Sequence, residues 1–536
     1  MKIKWGNILI FIFIILLGLA AGLAAIILNN NSLSVKKPVQ PTQNIIEDKS
    51  KDIKFTRSSP NSVLMGLDSW IGGTPALIAI SRQYDKNYEI SLEVKSIPNR
   101  MNALKTGEID VTEITLASFL KYRENIGDIA TIIGITDFSM GADGIIAKSD
   151  VKDLNDMKDR TVSYVGDGTG KFILNKFLRL TGLMYEDIKP VERSNMKEAI
   201  DDLENGSSDL AVSWSPDMNV ALKEINKVRP DSLRMMISTR EAPNLVPTLL
   251  VVRNDYLKNN EKKVESFLKA WYASVKYINE NPENAHQKLT ELMNSNPDIY
   301  DKVEMADVRD SFTNIKLMAL DDIFEIFGQN GKTEKISAMI IDTNKTWKLY
   351  GDMKSDITNP LSFVNTNLIA KLKSLNDPEI LVGRLDSGLY GANIKPEQSA
   401  GFKKLDEKTV ETKTEKVAKV DIAPVYYDSG KATVKQASLP VLDEVASILD
   451  QFPQYYLIID AHTDSVGSND SNLSLSKSRA DTIKAYLIKK GFDPNRVISR
   501  GWGKFKPIVP NEQTEQDRAK NRRTEFTLKR ELNKVN

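Results

Sequence analysis

The chain has 536 residues, enough for two or more domains around large buried cores. Its 73 basic and 72 acidic residues leave a net charge of +1, so bulk charge gives no argument for a nucleic-acid partner. The absence of cysteine excludes a disulfide framework, a thiolate nucleophile, a cysteine zinc site and a lipobox anchor, and two histidines, His286 and His462, disfavour a histidine-rich metal centre. No cofactor is implied.

Lys2 and Lys4 precede an uncharged apolar run of 21 residues, Ile8 to Leu28. That is about the length a helix needs to cross the ~30 Å hydrocarbon layer. Lysines before the run and Asn29-Asn30-Asn31 after it put the N-terminus in the cytoplasm and the rest outside. A cleaved signal peptide is the competing reading, since Ala20 to Ala25 offers small residues to a peptidase. Ile26-Ile27-Leu28 carry the apolar run past that point and favour an inner-membrane anchor over residues 1–30. Residues 31–60, rich in Asn, Ser, Lys, Pro and Gln, read as a flexible tether.

From Ser62 strands and helices alternate, the pattern of an α/β domain with a largely parallel sheet, and this domain is expected over 61–375. Val63 to Leu67 is a buried strand, and Gly72-Gly73-Thr74-Pro75 opens a helix with Pro75 in its first turn. Val162 to Val165 is another strand, followed by Gly166-Asp167-Gly168-Thr169-Gly170 at the start of a helix. Such a turn suits an anion, or it needs glycine for geometry alone; it is neither a P-loop nor a dinucleotide fingerprint. Trp70 and Trp214 both follow strand ends, where open sheets bind ligands. The helix at Val264 to Asn281 carries Phe267, Ala270, Trp271, Val275 and Ile278 on one face.

Trp70-Ile71-Gly72-Gly73-Thr74-Pro75, Arg100 to Asp110, Asp137 to Lys148 and Asp153-Leu154 through Thr169 resemble the periplasmic solute-binding proteins of the nitrate, sulfonate and taurine ABC-transporter type. The resemblance implies a two-lobed type II periplasmic-binding fold with crossings at Gly144 to Ala147 and Thr248 to Val252. It implies ligand contacts from Trp70, Gly72, Thr74, Thr115, Ser139, Gly168, Thr169 and Trp214, with Thr74 and Thr169 donating to an oxyanion, and hence an anionic or zwitterionic ligand. Asp137 or Asp143 would receive an amine or brace the hinge, and bracing is favoured. Relatives in that family that act as a pyrimidine synthase and a desulfinase need a reactive Cys or His that this chain lacks, so no enzyme is expected.

Residues 376–419 turn Lys/Glu/Thr-rich and read as a solvated, charged linker. Residues 420–536 read as an α+β domain. Val425 to Tyr427 is expected as a strand, Leu439 to Leu449 as an amphipathic helix, Tyr455 to Ile459 as a central strand, and Ser476 to Lys490 as a helix capped by Ser476. That cap would put Arg479 at the third helical position, facing Asp464 at the strand end 15 positions earlier. The pair is either an ordinary surface ion pair or a receptor for a zwitterion, the carboxylate taking an ammonium and the guanidinium a carboxylate.

His462-Thr463-Asp464, Asn472-x-x-Leu475-Ser476-x-x-Arg479-Ala480, Gly501-Trp502-Gly503 and Asn521-Arg522-Arg523 resemble the OmpA-like peptidoglycan-binding domain. The resemblance implies that Asp464 and Arg479 hold the head of diaminopimelate, with Thr463, Asn472, Asn521 and Arg523 on the same rim. An N-terminal span with such a domain is also the plan of the flagellar stator MotB, whose span keeps an acid; Ile8 to Leu28 has none, which disfavours an ion-driven role. The expected whole is one N-terminal transmembrane helix, a two-lobed α/β solute binder and an α+β OmpA-like domain. Its expected partners are the inner membrane, a transporter or channel, a small solute and peptidoglycan. The alternative is a structural or MotB-like tether in which the solute-binding fold is a spacer.

Overall fold

The computed structural model describes residues 58–532 apart from 98, 167, 330, 332, 333 and 382–404. The expected membrane span over 1–30, and all but the last three residues of the tether over 31–60, lie outside the described residues. Among the described residues, no helix is long and apolar enough to cross a membrane.

The apolar blocks after Ser62 become sheet interior. β1 (Ser62–Leu67) is buried along its whole length, as a strand covered on both faces must be. It pairs in parallel with β2 (Ser91–Ser96) and β3 (Val111–Thr115), and β4 (Ala130–Ser139) follows. The chain then crosses at 140–142 into a second sheet made of β5 (Asp143–Lys148), β6 (Thr161–Val165), β7 (Lys189–Arg193), β8 (Leu210–Trp214) and β9 (Leu233–Ser238). It returns through 239–246 to the first sheet as β10 (Pro247–Arg253) and later β11 (Ile315–Leu317). The strand orders are β11-β4-β10-β3-β1-β2 and β7-β6-β8-β5-β9. Two sheets joined by two crossings make two lobes.

Two expectations need correction. Gly144 to Ala147 and Thr248 to Val252 are interior strands, and the crossings lie just before each. Ile145 pairs with both Val212 and Ile237, because the amides of a buried apolar run need partners on both sides. The sheets are mixed instead of largely parallel: β10 and β5 enter from the hinge and run antiparallel to β3 and β8.

The helix Asn254–Glu280 buries Phe267, Ala270, Trp271, Val275 and Ile278 against lobe one, the face its spacing predicts. The helix Ile336–Leu349 packs on Leu116–Ile126 of lobe one and Thr169–Thr181 of lobe two. Trp347 lies buried at that junction, its Nε1 donating to the Ala117 carbonyl at 3.0 Å and its ring 5.5 Å from that of Phe172.

The linker expected over 376–419 ends early. Glu407–Lys413 is a helix and Thr414–Val420 is β12. Val417, Ala418 and Val420 are buried between lysines that reach solvent, so a strand lies beneath the charged composition. With β13 (Tyr456–His462), β14 (Val497–Gly503) and β15 (Thr524–Glu531) it forms a sheet of order β12-β15-β13-β14. Val425 to Tyr427 is no strand; Tyr427 makes a single bridge to Val434. This domain docks on lobe two. Leu178 and Leu180 share one apolar cluster with Val417, Leu442 and Leu457. Asn155 exchanges two hydrogen bonds with the Lys419 backbone, at 3.1 and 2.7 Å.

Candidate functional sites

A cavity of about 250 Å³ opens between the lobes. Of the eight expected ligand residues, Trp70, Thr115, Thr169 and Trp214 line it. Thr169 Oγ1 lies 2.8 Å from Thr115 Oγ1 and 3.2 Å from Ser118 Oγ, so the lobes meet across the cleft and the state is closed. Gly168, at φ 116°, backs this contact: a Cβ there would come within 2.6 Å of Ser118 Oγ.

The other expected contacts are spent elsewhere. The fully buried Thr74 donates its hydroxyl to the Ile71 carbonyl at 2.6 Å, which removes the oxyanion role expected of it. Gly72 makes room for a carboxylate, since a Cβ would fall 1.9 Å from Asp137 Oδ2. Ser139 Oγ meets Thr239 Oγ1 at 2.7 Å between the two crossings. Asp137 accepts hydrogen bonds from Trp70 Nε1 (3.1 Å), Thr136 Oγ1 (2.6 Å) and Thr248 Oγ1 (3.3 Å), and so fixes the Trp70 ring. Burial pushes the Asp137 carboxyl up to about 6 against those three donors.

Sequence reasoning missed the charged lining. Arg100 Nη1 pairs with Asp68 Oδ2 at 2.5 Å and Arg100 Nε donates to the Glu113 carbonyl at 3.2 Å. Burial would raise Asp68, but Arg100 and the Trp70 N–H outweigh it and hold the carboxyl below its usual value. Glu113, in the middle of β3, is 1% exposed, and its carboxyl shares a side-chain hydrogen bond with that of Asp68. Burial and then Asp68 push it well above the usual range. The available signal was a glutamate flanked by β-branched residues in a strand-forming run, VTEIT, a residue type almost never buried unless paired.

The second candidate site is the rim where β13 meets the helix Asn469–Lys489. That helix starts seven residues before the expected position, with Ser468 as its N-cap accepting from the Ser471 N–H at 3.1 Å. Ser476 is buried in mid-helix: its Oγ donates to the Leu473 carbonyl and accepts from the Gly503 N–H at 2.8 Å, tying helix to β14. The polar stretch NDSNLSL has weak helix propensity, and this cap and packing override it.

Arg479 therefore projects from mid-helix. It is 9% exposed, its Nε donates to the Lys431 carbonyl at 3.1 Å, and its guanidinium carbon lies 4.8 Å from the Tyr427 ring centre. Among the described residues no carboxylate pairs with it. Asp464 pairs instead with Arg522 Nη1 at 2.7 Å, which corrects the face-to-face pair expected from spacing. Burial lowers the Arg479 pKa; Tyr427 and Asp464 pull it up and Arg522 pushes it down, so all four groups lie within electrostatic reach.

The remaining rim residues divide. Thr463 is buried, with a hydroxyl that has no partner. Asn472 donates to the Val466 carbonyl and Asn521 holds the Ile508 and Val509 amides, so both shape loops. Arg523 turns to Glu525 Oε1 at 2.7 Å and the Lys506 carbonyl, and its neighbour Arg522 takes the place beside Asp464.

Residues 71–285 match the NMT1/THI5-like family model and residues 426–522 the OmpA family model. The C-terminal part is 40% identical over 106 residues to outer membrane protein A of Bordetella avium, covering 20% of this chain and 54% of that protein. It is 39% identical over 104 residues to "Probable lipoprotein YiaD" of Escherichia coli K12, covering 19% of this chain and 47% of that protein. The chain thus spans about half the length of these curated relatives. The structure is also similar to the periplasmic aliphatic sulphonate binding protein SsuA of Escherichia coli, at 16% identity and a TM-score of 0.45, over 58% of this chain and 99% of that one. The chain thus joins an NMT1/THI5-like domain of two lobes to a C-terminal OmpA-family domain.

Proposed function

We propose that this is a non-enzymatic envelope protein that captures a small solute between its lobes and grips peptidoglycan through its C-terminal rim. The observation that carries the wall-binding half is Arg479. It is a cation over an aromatic ring with its fork unclaimed by any described carboxylate, beside Asp464. A ligand bearing a carboxylate next to an ammonium meets both needs, the carboxylate on the Arg479 fork and the ammonium on Asp464. The free head of diaminopimelate in a peptide stem has that form. Arg522 holds Asp464 in place until the ammonium arrives. The uncharged run Ile8 to Leu28 supports attachment to the inner membrane, which sets the solute module beside a membrane partner. The cavity supports solute capture over a spacer role.

Co-sedimentation with purified diaminopimelate-type peptidoglycan tests the wall-binding half. The wild-type chain pellets with the wall, and Arg479→Ala and Asp464→Ala stay in the supernatant with unchanged far-UV circular dichroism. Equal pelleting of all three overturns the assignment.

A further inference from the structure

The charge of the cleft lining identifies the class of ligand, and this inference rests on the solute-binding reading above. Asp68, Glu113 and Asp143 line the cavity, with Asp137 directly behind Trp70. One guanidinium, Arg100, faces them, and it is already committed to Asp68 and to the Glu113 carbonyl. The hydroxyls of Thr115, Ser118 and Thr169 bond to one another across the closed cleft. An anion entering this space would meet acidic side chains, and the one guanidinium it could pair with is already engaged.

Glu113 gives the positive argument. It lines the cavity, is 1% exposed, and shares a side-chain hydrogen bond with Asp68, so two acids hold one proton beside a single guanidinium. Two carboxyls that share one proton can both ionise only when a cation stands beside them. Close by, the buried Tyr300 hydroxyl is without a partner, and Glu113 and Asp68 both act on it electrostatically. The aromatic walls Trp70, Trp214 and Tyr122 offer ring faces of the kind that attract cations. We propose that the cleft takes a small molecule carrying a protonated nitrogen, an ammonium or amidinium group, with the Asp68–Glu113 acid pair as its counter-ion. The volume of about 250 Å³ admits only a small molecule. The raised pKa of Glu113 is consistent with this: burial and Asp68 keep the proton on, and a neighbouring cation supplies the charge that lets the carboxyl ionise.

The test is calorimetry and thermal shift on the full-length chain in detergent micelles. The cationic probes are benzylamine, benzamidine and agmatine; the anionic probes are benzoate, ethanesulfonate and nitrate. In parallel, any small molecule released on denaturing the purified chain is identified by mass spectrometry. The expected result is saturable binding of at least one cationic probe, or release of a cationic compound, with no binding of the anions. Glu113→Gln should weaken the bound cation about 10-fold or more, and Glu113→Asp should restore part of the loss. The melting temperature of each unliganded variant shows that it is folded. Binding or release of an anion alone overturns the ligand class and leaves the solute-binding reading standing. Neither binding nor release of any compound overturns both. A cation that binds Glu113→Gln as tightly as wild type overturns the role of Glu113.

Discussion

The docking of the C-terminal domain on lobe two turns on Arg530, and removing that side chain tests the interface directly. Arg530 projects from β15 and is almost fully buried. Its Nη1 lies 2.6 Å from Glu241 Oε1, in the return crossing, and its Nε lies 2.7 Å from Glu415 Oε1 on β12. Arg234 of lobe two joins Glu415 at 3.4 Å. Glu241 is itself anchored, its Oε2 accepting from the Ser238 N–H and hydroxyl at 2.7 and 2.8 Å. At an effective dielectric near 20, each Arg530 contact represents about 6 kcal/mol of gross attraction. Desolvating the three ions cancels most of it, so the network's net worth is small. Removing only the arginine does something different, since it strands Glu241 in the interface without its cation and should cost about 3–5 kcal/mol.

Native-state hydrogen exchange reads this locally, through the amides of β12 and β15. Arg530→Met should lower their opening free energy by about 3–5 kcal/mol, and Arg530→Met/Glu241→Gln should recover about half, because no charge is left stranded. A coupling energy below about 0.5 kcal/mol would mean that the two side chains do not meet and that the docking is wrong.

Two further outcomes follow from the cleft. The Asp137 carboxyl is raised to about 6 by burial, so between about pH 4 and 6 the folded state holds its proton more firmly than the unfolded chain. Stability therefore falls as pH rises through that window, by up to about 3 kcal/mol from this group, and the fall is complete above it. Denaturant midpoints at pH 4.5, 6 and 7.5 should show a flatter pH profile for Asp137→Asn than for wild type; parallel profiles would contradict the shift. Gly168→Ala places a Cβ 2.6 Å from Ser118 Oγ at a φ of 116°. It should hold the lobes apart, weakening any cleft ligand by about 10-fold or more, and lower stability by about 1–3 kcal/mol through backbone strain; small-angle scattering would show whether the closed dimensions are lost.

Much of this architecture is legible in residue pattern, because pattern reports burial. The alternation after Ser62 places the α/β module. The helical face from Phe267 to Ile278 packs as spaced, and the apolar run before Asp464 becomes β13. The misses share one cause, the dependence of side-chain direction on tertiary partners. Ser476 looks like a cap because polar residues precede it, yet the helix continues upstream once Ser468 caps it and Gly503 binds Ser476. β12 is hidden because a glutamate and two lysines interrupt its apolar residues, although Val417, Ala418 and Val420 join the apolar cluster shared with lobe two. Thr74 has the residue type for an oxyanion contact, but the turn at Ile71 consumes its hydroxyl.

The same dependence decides both candidate sites, in opposite ways. On the rim, Arg522 and Arg523 are adjacent in sequence, and at the entry to β15 their side chains diverge to Asp464 and Glu525, at 2.7 Å each. Composition is symmetric between the two arginines, so only strand geometry assigns one to the rim. In the cleft the asymmetry is chemical and was readable earlier. A glutamate within VTEIT needs a cation, a proton or a ligand once the strand is buried. The structure places Arg100 against its backbone carbonyl and Asp68 against its carboxyl, so the proton is the answer here. A family resemblance carries over the positions of contacts, but the sign of the charge they present belongs to this chain's own side chains. That sign comes from Asp68, Glu113 and Asp143, of which only Asp143 lies within a family motif.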